Sequence, residues 1–440
     1  MASENTVQVK VVKWSPNRAS EAVTELLNRS AFSPDIEELA GQVLADIRTR
    51  GDQALVEYVR KFDGASLKPG ELAVTQEERK AAIEAVDNDF KRSVTEAHNR
   101  IMKFCQAGMR KDWTLSTPKG GHVGEQFVPL ARVGTYIPAG AAPLASTALM
   151  TVTLARVADV REVVACTPAD KNGRVNPYLL YALDAAGATE VYKLGGIQAI
   201  GAMAYGTATI RKVLKIVGPG GPYVTAAKRL VYGEVDLDMV AGPSEIAILA
   251  DDTALPEFVA ADLLSQAEHG TGHEKAMLVT PSARLATAVQ EELIKQTETL
   301  KRQDAIRTVL KDGTLLVVVD NLDIGMELCN RFAPEHMEIL TEEPRRWAKK
   351  VRTAGAVFVG AWTPECAGDF VAGPSHVLPT GGTAAMFSGL TVDSFRRRTS
   401  VISFTRADLA DVLPVIESFA RVEQLDGHAR SAKIRFEKKG

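Results

Sequence analysis

The chain has 440 residues, of which 45% are hydrophobic and 24% charged, and its formal net charge at pH 7 is −3. This composition predicts an ordinary globular protein of two or more domains, and it disfavours nucleic acid and anionic membrane surfaces as partners. The N-terminal residues lack the apolar core of a signal peptide, and charged side chains interrupt the most apolar stretch, 145–168, so we expect a cytoplasmic protein without a membrane span.

The N-terminal region, residues 20–110, is rich in helix-forming residues. Between Gln76 and Met109 apolar side chains recur at helical spacing, and no strand pattern competes. We therefore predict a helical region that packs on the second of two α/β domains.

From about Phe127 the pattern changes to short strand-like runs that alternate with helical segments, which favours parallel sheets with crossover helices. The first predicted strands span 131–137, 162–168, 190–195 and 211–218, with helices near 144–158, 176–186 and 197–206. A second series of predicted strands spans 246–251, 275–281, 314–320 and 356–360.

The predicted fold class is therefore α/β, with two Rossmann-like parallel-sheet domains, a helical N-terminal region and a small C-terminal extension. The predicted limits are 1–126 for the helical region, 127–240 and 241–380 for the two α/β domains, and 381–440 for the extension. The extension holds a helix near 407–420 and a short polar tail.

Two segments carry candidate metal ligands. In SQAEHG, Gln266 and His269 are three residues apart, so on a helix both side chains would share one face. The alternative is a histidine that only caps the helix end beside Gly270. Asp369 and His376 lie seven residues apart in one loop rich in glycine and proline, for which a plain structural turn is the alternative.

The C-terminal tail offers a further candidate, His428, with Glu423 five residues upstream; a solvated surface histidine is the alternative. The four cysteines are far apart, form no CxxC pair and are predicted to be reduced thiols. A ligand set of amide, imidazole and carboxylate groups without thiolate suits a divalent ion such as Zn²⁺, and weak ligands leave open positions for substrate.

The acid/base candidates are Glu335 and His336 in FAPEHMEI. On a loop or a helix start they could flank a substrate, where a histidine acts as general base near neutral pH and a glutamate activates water. The alternative is a glutamate in the first turn of a helix beside a partly buried histidine.

Two glycine-rich loops, 193–206 and 216–223, each follow a predicted strand and open a helix. Backbone amides at such helix starts can bind phosphate. Neither loop matches G-x-G-x-x-G, so tight turns without a ligand stay open as the alternative.

Taken in order and spacing, these segments resemble the histidinol dehydrogenase family over nearly the whole chain. The motifs that carry the resemblance are VGTYIPAG, KLGGIQAI, VGPGGPYVTAAKR, AGPSEIAILAD, DLLSQAEHG, APEHMEI, AGPSHVLPT and LDGHARS. The resemblance implies oxidation of L-histidinol to L-histidine in histidine biosynthesis, in two NAD-dependent steps by way of histidinaldehyde, with Zn²⁺ holding the substrate.

The resemblance also assigns roles to residues. His336 would be the principal base and Glu335 would activate water. The metal ligands, which also contact substrate, would be Gln266, His269, Asp369 and His428. Substrate would further be lined by Ser244, His376 and Glu423. NAD would be contacted by Tyr136, Gln198 and Gly221, in the first α/β domain. Members of the family are homodimers, and the resemblance implies that the tail with His428 enters the partner's site.

Three places depart from the family pattern. They are Gly221 in place of the usual Asn, Leu144-Ala145-Ser146 in place of Tyr-Pro-Ser, and GGTAAM at 381–386 in place of SGTARF. They motivate an alternative, a related Zn/NAD-dependent dehydrogenase of another small polar alcohol such as a sulfonated diol; Glu423, suited to a substrate ammonium, argues against an anionic substrate. A non-catalytic binding protein on the same fold is disfavoured, because the chemical positions are complete.

Overall fold

The computed structural model describes residues 9–18, 20–29, 34–139, 142–239 and 242–437. Residues 1–8, where we expected no signal peptide, and residues 240 and 241, at the predicted limit between the α/β domains, lie outside this described part. The chain forms two compact units, one of Met1–Gly108 with Leu130–Phe395, the other of Met109–Pro129 with Arg396–Gly440. Among the described helices, none has the length and apolarity needed to cross a membrane.

The strands are β1 (Lys10–Lys13), β2 (Trp113–Ser116), β3 (His122–Pro129), β4 (Arg132–Tyr136), β5 (Glu162–Thr167), β6 (Glu190–Lys193), β7 (Lys215–Val217), β8 (Asp236–Leu237), β9 (Glu245–Ala250), β10 (Lys275–Thr280), β11 (Thr314–Val318), β12 (His336–Leu340), β13 (Ala356–Val359) and β14 (Arg396–Ser403).

The helices are α1 (Glu21–Leu27), α2 (Pro34–Arg50), α3 (Asp52–Tyr58), α4 (Gln76–Ala85), α5 (Asn88–Gly108), α6 (Ala145–Val157), α7 (Pro177–Ala186), α8 (Gly196–Tyr205), α9 (Pro222–Val231), α10 (Pro256–Ala267), α11 (Ala283–Thr297), α12 (Gln303–Asp312), α13 (Leu322–Phe332), α14 (Pro344–Ala348), α15 (Glu365–Phe370), α16 (Arg406–Val422) and α17 (Asp426–Glu437). A π-helical turn, Val59–Asp63, continues α3.

The first unit contains two parallel sheets with helices on their faces, which confirms the predicted α/β fold class. One sheet has the strand order β6-β5-β4-β7-β8, the other β1-β11-β10-β9-β12-β13. The central strands β4 and β9 are buried along their whole length, as expected for parallel strands covered on both faces. Every predicted strand forms, although 211–218 contributes only Lys215–Val217.

The N-terminal region follows the prediction only in part: α1 contacts α13 of the second α/β domain, but the longer helices pack elsewhere. We expected the whole region on the second α/β domain, but α2 contacts α8 and α9, and α4 and α5 contact α7, all of which belong to the first. Leu44 and Ile47 of α2 share one hydrophobic core with Ile200 and Met203 of α8. Only tertiary contacts decide which sheet an amphipathic helix covers, so its periodicity could not reveal this.

The helical segment that we predicted from Gln76 to Met109 is interrupted once. Val86 is extended (φ −84°, ψ 133°), and the Asp87 carboxylate accepts a hydrogen bond from Phe90 N at 2.9 Å. Asp87 thus caps the N-terminus of α5, and the segment forms two helices.

The second unit combines an antiparallel sheet, of order β14-β3-β2, with α16 and α17. Residues 109–129 belong here rather than with the N-terminal region, and the predicted polar tail is the helix α17. This unit exposes many large apolar side chains: Trp113, Leu115, Val128, Ile402, Phe404, Val415, Phe419 and Val422.

Candidate active site

The candidate active site lies at the amino-terminal edge of the second sheet. His336 is the first residue of β12 and pairs in register with Ile246 of β9, which places Glu335 beside Glu245. Helix α10 runs back from the far end of β9 and brings Gln266 to the same edge. The expected loop or helix start at Glu335 and His336 is therefore wrong for His336, which begins a central strand. Ligands of α/β proteins usually bind at the opposite, carboxyl edge.

The His336 side chain is buried and has one fixed tautomer. Its Nδ1 lies 3.1 Å from Gln266 Oε1 and 3.2 Å from the backbone oxygen of Glu245. Both partners are acceptors, so Nδ1 carries the proton and Nε2 keeps a lone pair. Nε2 is buried, has no hydrogen-bond partner in the described part of the chain, and lies 3.8 Å from Asp369 Oδ1. Burial lowers the pKa of His336 to about 4, so the ring is neutral at pH 7 and Nε2 can accept a proton.

Glu335 is the second candidate for proton transfer. Its Oε2 accepts a hydrogen bond from Glu245 N at 3.0 Å, and the Ser244 side chain also bonds to it. Burial raises the pKa of Glu335 well above its ordinary value, and the charge of Asp369 adds to this increase. A raised pKa makes the carboxylate a stronger base, which suits proton abstraction from water.

The predicted metal ligands Gln266, His269 and Asp369 come together near His336, and Glu365 joins them. Potential ligand atoms of His269, Glu365 and Asp369 all lie within 4.8 Å of one another. The Gln266 amide nitrogen lies 3.4 Å from His269 Nδ1. His269 follows the end of α10, so the helix-end position that we considered as the alternative is also observed.

Glu365 was missed by the sequence-based prediction. It begins α15, four residues before Asp369, and this spacing puts both carboxylates on one helix face. Its Oε2 accepts a hydrogen bond from Ser265 Oγ at 2.8 Å, whereas Oε1 is buried without a hydrogen-bond partner in the described residues. Burial raises the pKa of Glu365. An unpartnered buried carboxylate oxygen beside an imidazole and a second carboxylate fits a divalent cation with N/O ligands.

His376 has both ring nitrogens engaged. Nδ1 donates to the backbone oxygen of Asp369 at 3.0 Å, and Nε2 accepts from Thr147 Oγ1 at 3.0 Å. Thr147 lies in α6, whose start follows the carboxyl edge of the first sheet. Ser375 Oγ also bonds to the Met150 backbone oxygen of α6, at 2.9 Å. His376 thus fixes the Asp369 segment against the first sheet's helices; direct contact of His376 with substrate stays a prediction.

The predicted NAD contacts lie at the carboxyl edge of the first sheet. Tyr136 ends β4, and the loop with Gly221 follows β7, so both border the point where strand order reverses, the usual nucleotide site of such sheets. Gln198 is buried, and its Oε1 has no hydrogen-bond partner in the described part of the chain. These positions agree with the prediction without testing it.

The two glycine-rich loops differ in whether side chains of the protein already accept hydrogen bonds from their backbone amides. The Asp63 carboxylate accepts hydrogen bonds from Gly195 N at 3.0 Å and Gln198 Nε2 at 3.2 Å, and the Tyr136 hydroxyl accepts from Gly196 N at 3.1 Å. A phosphate would meet a carboxylate at this helix start, which counts against the loop 193–206 as a phosphate cradle. Around Gly221 the backbone is open.

Glu423 and His428 belong to the second unit. Glu423 follows the end of α16, and His428 lies in the first turn of α17; both side chains are exposed. Their assignment to substrate and metal stays a prediction.

Comparison with known proteins identifies close relatives. A family model described as histidinol dehydrogenase matches residues 27–436. Histidinol dehydrogenase of Heliobacterium mobile is 44% identical over 418 residues, covering 95% of this chain and 98% of that protein. The protein of the same name from Moorella thermoacetica is 45% identical over 396 residues, covering 90% and 93%. The crystal structure of histidinol dehydrogenase from Elizabethkingia anophelis matches with a TM-score of 0.92 at 35% identity, covering 99% of both chains.

Proposed function

The chain belongs to the histidinol dehydrogenase family, and from this premise we propose that it oxidises L-histidinol to L-histidine in histidine biosynthesis, in two NAD-dependent steps through histidinaldehyde. The observation that carries the chemical assignment is the buried, unpartnered Nε2 of His336, which faces a cluster of potential cation ligands. NAD, when bound, takes up the hydride in each step, and the protein provides position and proton transfer.

His336 serves as base in the first oxidation. Loss of the hydroxyl proton makes departure of hydride from the carbinol carbon easier, so a base within hydrogen-bond reach of the alcohol is required. Nε2 can accept that proton because Nδ1 already donates to Gln266 and to the Glu245 carbonyl. The proton ends on His336 Nε2, and with the hydride passed to NAD, when bound, the alcohol would become the aldehyde.

Glu335 serves the second oxidation, which proceeds through the hydrated aldehyde. Its carboxylate takes a proton from the water that attacks the aldehyde carbon. His336 returns its proton from the first step to the aldehyde oxygen, which gives the hydrate. The neutral ring then takes a hydroxyl proton of the hydrate as the second hydride leaves. Hydrogen bonds from Glu245 N and Ser244 hold the Glu335 carboxylate in place for this step.

A divalent cation, zinc in our proposal, would be held by Gln266, His269 and Asp369 together with His428, and would anchor the substrate imidazole and amine. Glu365 adds a second carboxylate beside these ligands, which partly offsets the cation charge. Glu423 would pair with the substrate ammonium. The cation would bring no redox chemistry of its own.

We further propose that the active protein is a homodimer in which His428 comes from a second copy of the chain. The apolar side chains that the second unit exposes support an interface there, because a stable monomer rarely exposes a large apolar patch.

Two inactive variants can test the tail exchange. When His336→Asn and His428→Ala proteins are mixed and allowed to exchange subunits, a swapped tail restores one intact site per mixed dimer. Activity therefore returns. If each tail served its own chain, every site would keep one defect and the mixture would stay inactive.

The reaction itself is tested with purified, zinc-loaded protein, NAD and L-histidinol. We expect two NADH for each histidinol consumed and histidine as the product. A single NADH would restrict the activity to the alcohol step, and no NADH would refute the proposal. Faster turnover of a sulfonated diol than of histidinol would favour the related dehydrogenase considered above.

A further inference from the structure

A buried ion pair lies directly behind the two proton-transfer residues. Arg29, which follows α1, binds Glu245 through both oxygens of the carboxylate: Nε contacts Oε1, and an Nη lies 2.8 Å from Oε2. The two residues are 216 positions apart, and their side chains are only 8% and 2% exposed. A fork-to-fork contact of this kind fixes direction as well as distance.

The main chain of Glu245 forms hydrogen bonds with both proposed proton-transfer residues, Glu335 and His336. Its N–H donates to the Glu335 carboxylate at 3.0 Å, and its carbonyl accepts from His336 Nδ1 at 3.2 Å. Together with the contact to Gln266 Oε1, the second of these bonds decides which nitrogen of His336 keeps the lone pair. A displacement of the Glu245 main chain would therefore disturb both residues at once.

Arg29 also holds the segment that leads to Glu335. An Nη donates to the backbone oxygen of Phe332 at 2.7 Å, and the guanidinium stacks on the Phe332 ring, 3.8 Å from its centre. Phe332 ends α13, and the chain then turns through Ala333, which has a left-handed conformation (φ 46°). Arg29 thus joins the start of β9 to the chain that enters β12.

We propose that Arg29 is a positioning residue of the active site, which holds the Glu245 main chain in place and through it the Glu335 carboxyl group and the tautomer of His336. The inference builds on the proposed function and assigns a role to a residue outside the proposed set of bases and metal ligands. A lysine in its place keeps the charge but loses the planar fork and the stacking.

The test compares Arg29→Lys with Arg132→Lys. Arg132 is equally buried and binds Glu190 through two bonds of 2.6 and 2.8 Å, but it lies at the amino edge of the first sheet, away from the site. We expect Arg29→Lys to lower kcat by roughly 10–100-fold, as loss of an orienting partner does at metal sites, while KM for histidinol and bound zinc stay near wild type. Arg132→Lys should keep kcat. Equal kcat in Arg29→Lys and wild type, or the same loss in both variants, would overturn the proposal.

A second measurement does not depend on turnover. In metal-free protein with ¹⁵N-labelled histidine, the His336 signals, assigned by their loss in His336→Asn, should report a proton on Nδ1, and Arg29→Lys should move population to the other tautomer. An unchanged tautomer contradicts the positioning role, whereas absent histidinol turnover in the wild type would contradict only the proposed function. If Arg29→Lys does not fold, Glu245→Gln is expected to give the same shift.

Discussion

Replacement of His336 by asparagine separates proton transfer from metal binding. The asparagine side-chain nitrogen can occupy nearly the place of Nδ1, so it can still donate to Gln266 Oε1 or to the Glu245 carbonyl, 3.1 and 3.2 Å away in the native protein. The group at the position of Nε2 is lost. Since that nitrogen has no hydrogen-bond partner among the described residues, its removal breaks no hydrogen bond there and should leave the fold intact.

The expected loss follows from the role of a general base, which contributes roughly 10²–10⁴-fold to a rate. At 1.36 kcal/mol for each factor of ten, the barrier should rise by about 3–5 kcal/mol. NADH formation is measured separately from histidinol and from histidinaldehyde, and both rates should fall, because the same base serves both oxidations. Bound zinc, measured by elemental analysis, should stay near the wild-type amount.

His273→Asn is the matched control, since this exposed histidine lies four residues beyond His269 and makes no side-chain contact assigned to the reaction. It should keep turnover. Retention of more than a tenth of the wild-type kcat by His336→Asn would rule out His336 as the principal base. Loss of zinc from that variant would instead make His336 a ligand.

Three further changes give separate predictions. Glu365→Gln should weaken zinc binding by about 10–100-fold in a competition titration with a chelator, because a carboxylate beside the ligands is lost; unchanged affinity would show that Glu365 has no part in the metal site. Thr147→Val leaves His376 Nε2 without its donor and should cost about 1–3 kcal/mol of unfolding free energy, measured by urea denaturation. Thr151→Val, outside the site, is the control and should leave KM unchanged. Hydrogen bonds from Arg132 lower the pKa of Glu190 to about 2, so the stability this pair contributes is present above the ordinary carboxyl pKa and is lost as pH falls towards 2. Glu190→Gln should therefore flatten the acid side of a plot of melting temperature against pH, and an unchanged slope would contradict the shift.

The parts of the fold that were predictable are those with local periodicity. Most strands of the two parallel sheets were recognised, because buried parallel strands are short apolar runs between helices, whereas the edge strands β1 and β8 were not predicted. Strand β12 was not, because His336 and Glu338 put two ionisable side chains into a fully buried central strand. These ionisable groups are buried because they belong to the active site, so a search for apolar runs does not find the strand.

The chemistry was partly predictable for a similar reason. Gln266, His269 and Asp369 stand in motifs that family resemblance marks, and the structure brings them together. Glu365 was missed because no helix was predicted at 365–370, and only a helix places its carboxylate on the same face as that of Asp369. Two further contacts join residues that are far apart in sequence. Asp63 and Gly195 are 132 positions apart, and Arg29 and Glu245 are 216 apart, so no local sequence pattern predicts either contact.

The proton on His336 Nδ1 is held by a peptide carbonyl as well as by a side chain. A main-chain oxygen is present whatever amino acid occupies position 245, so no single substitution can delete it. Side chains around the site can therefore change to suit other alcohols while this half of the support for the His336 proton stays the same.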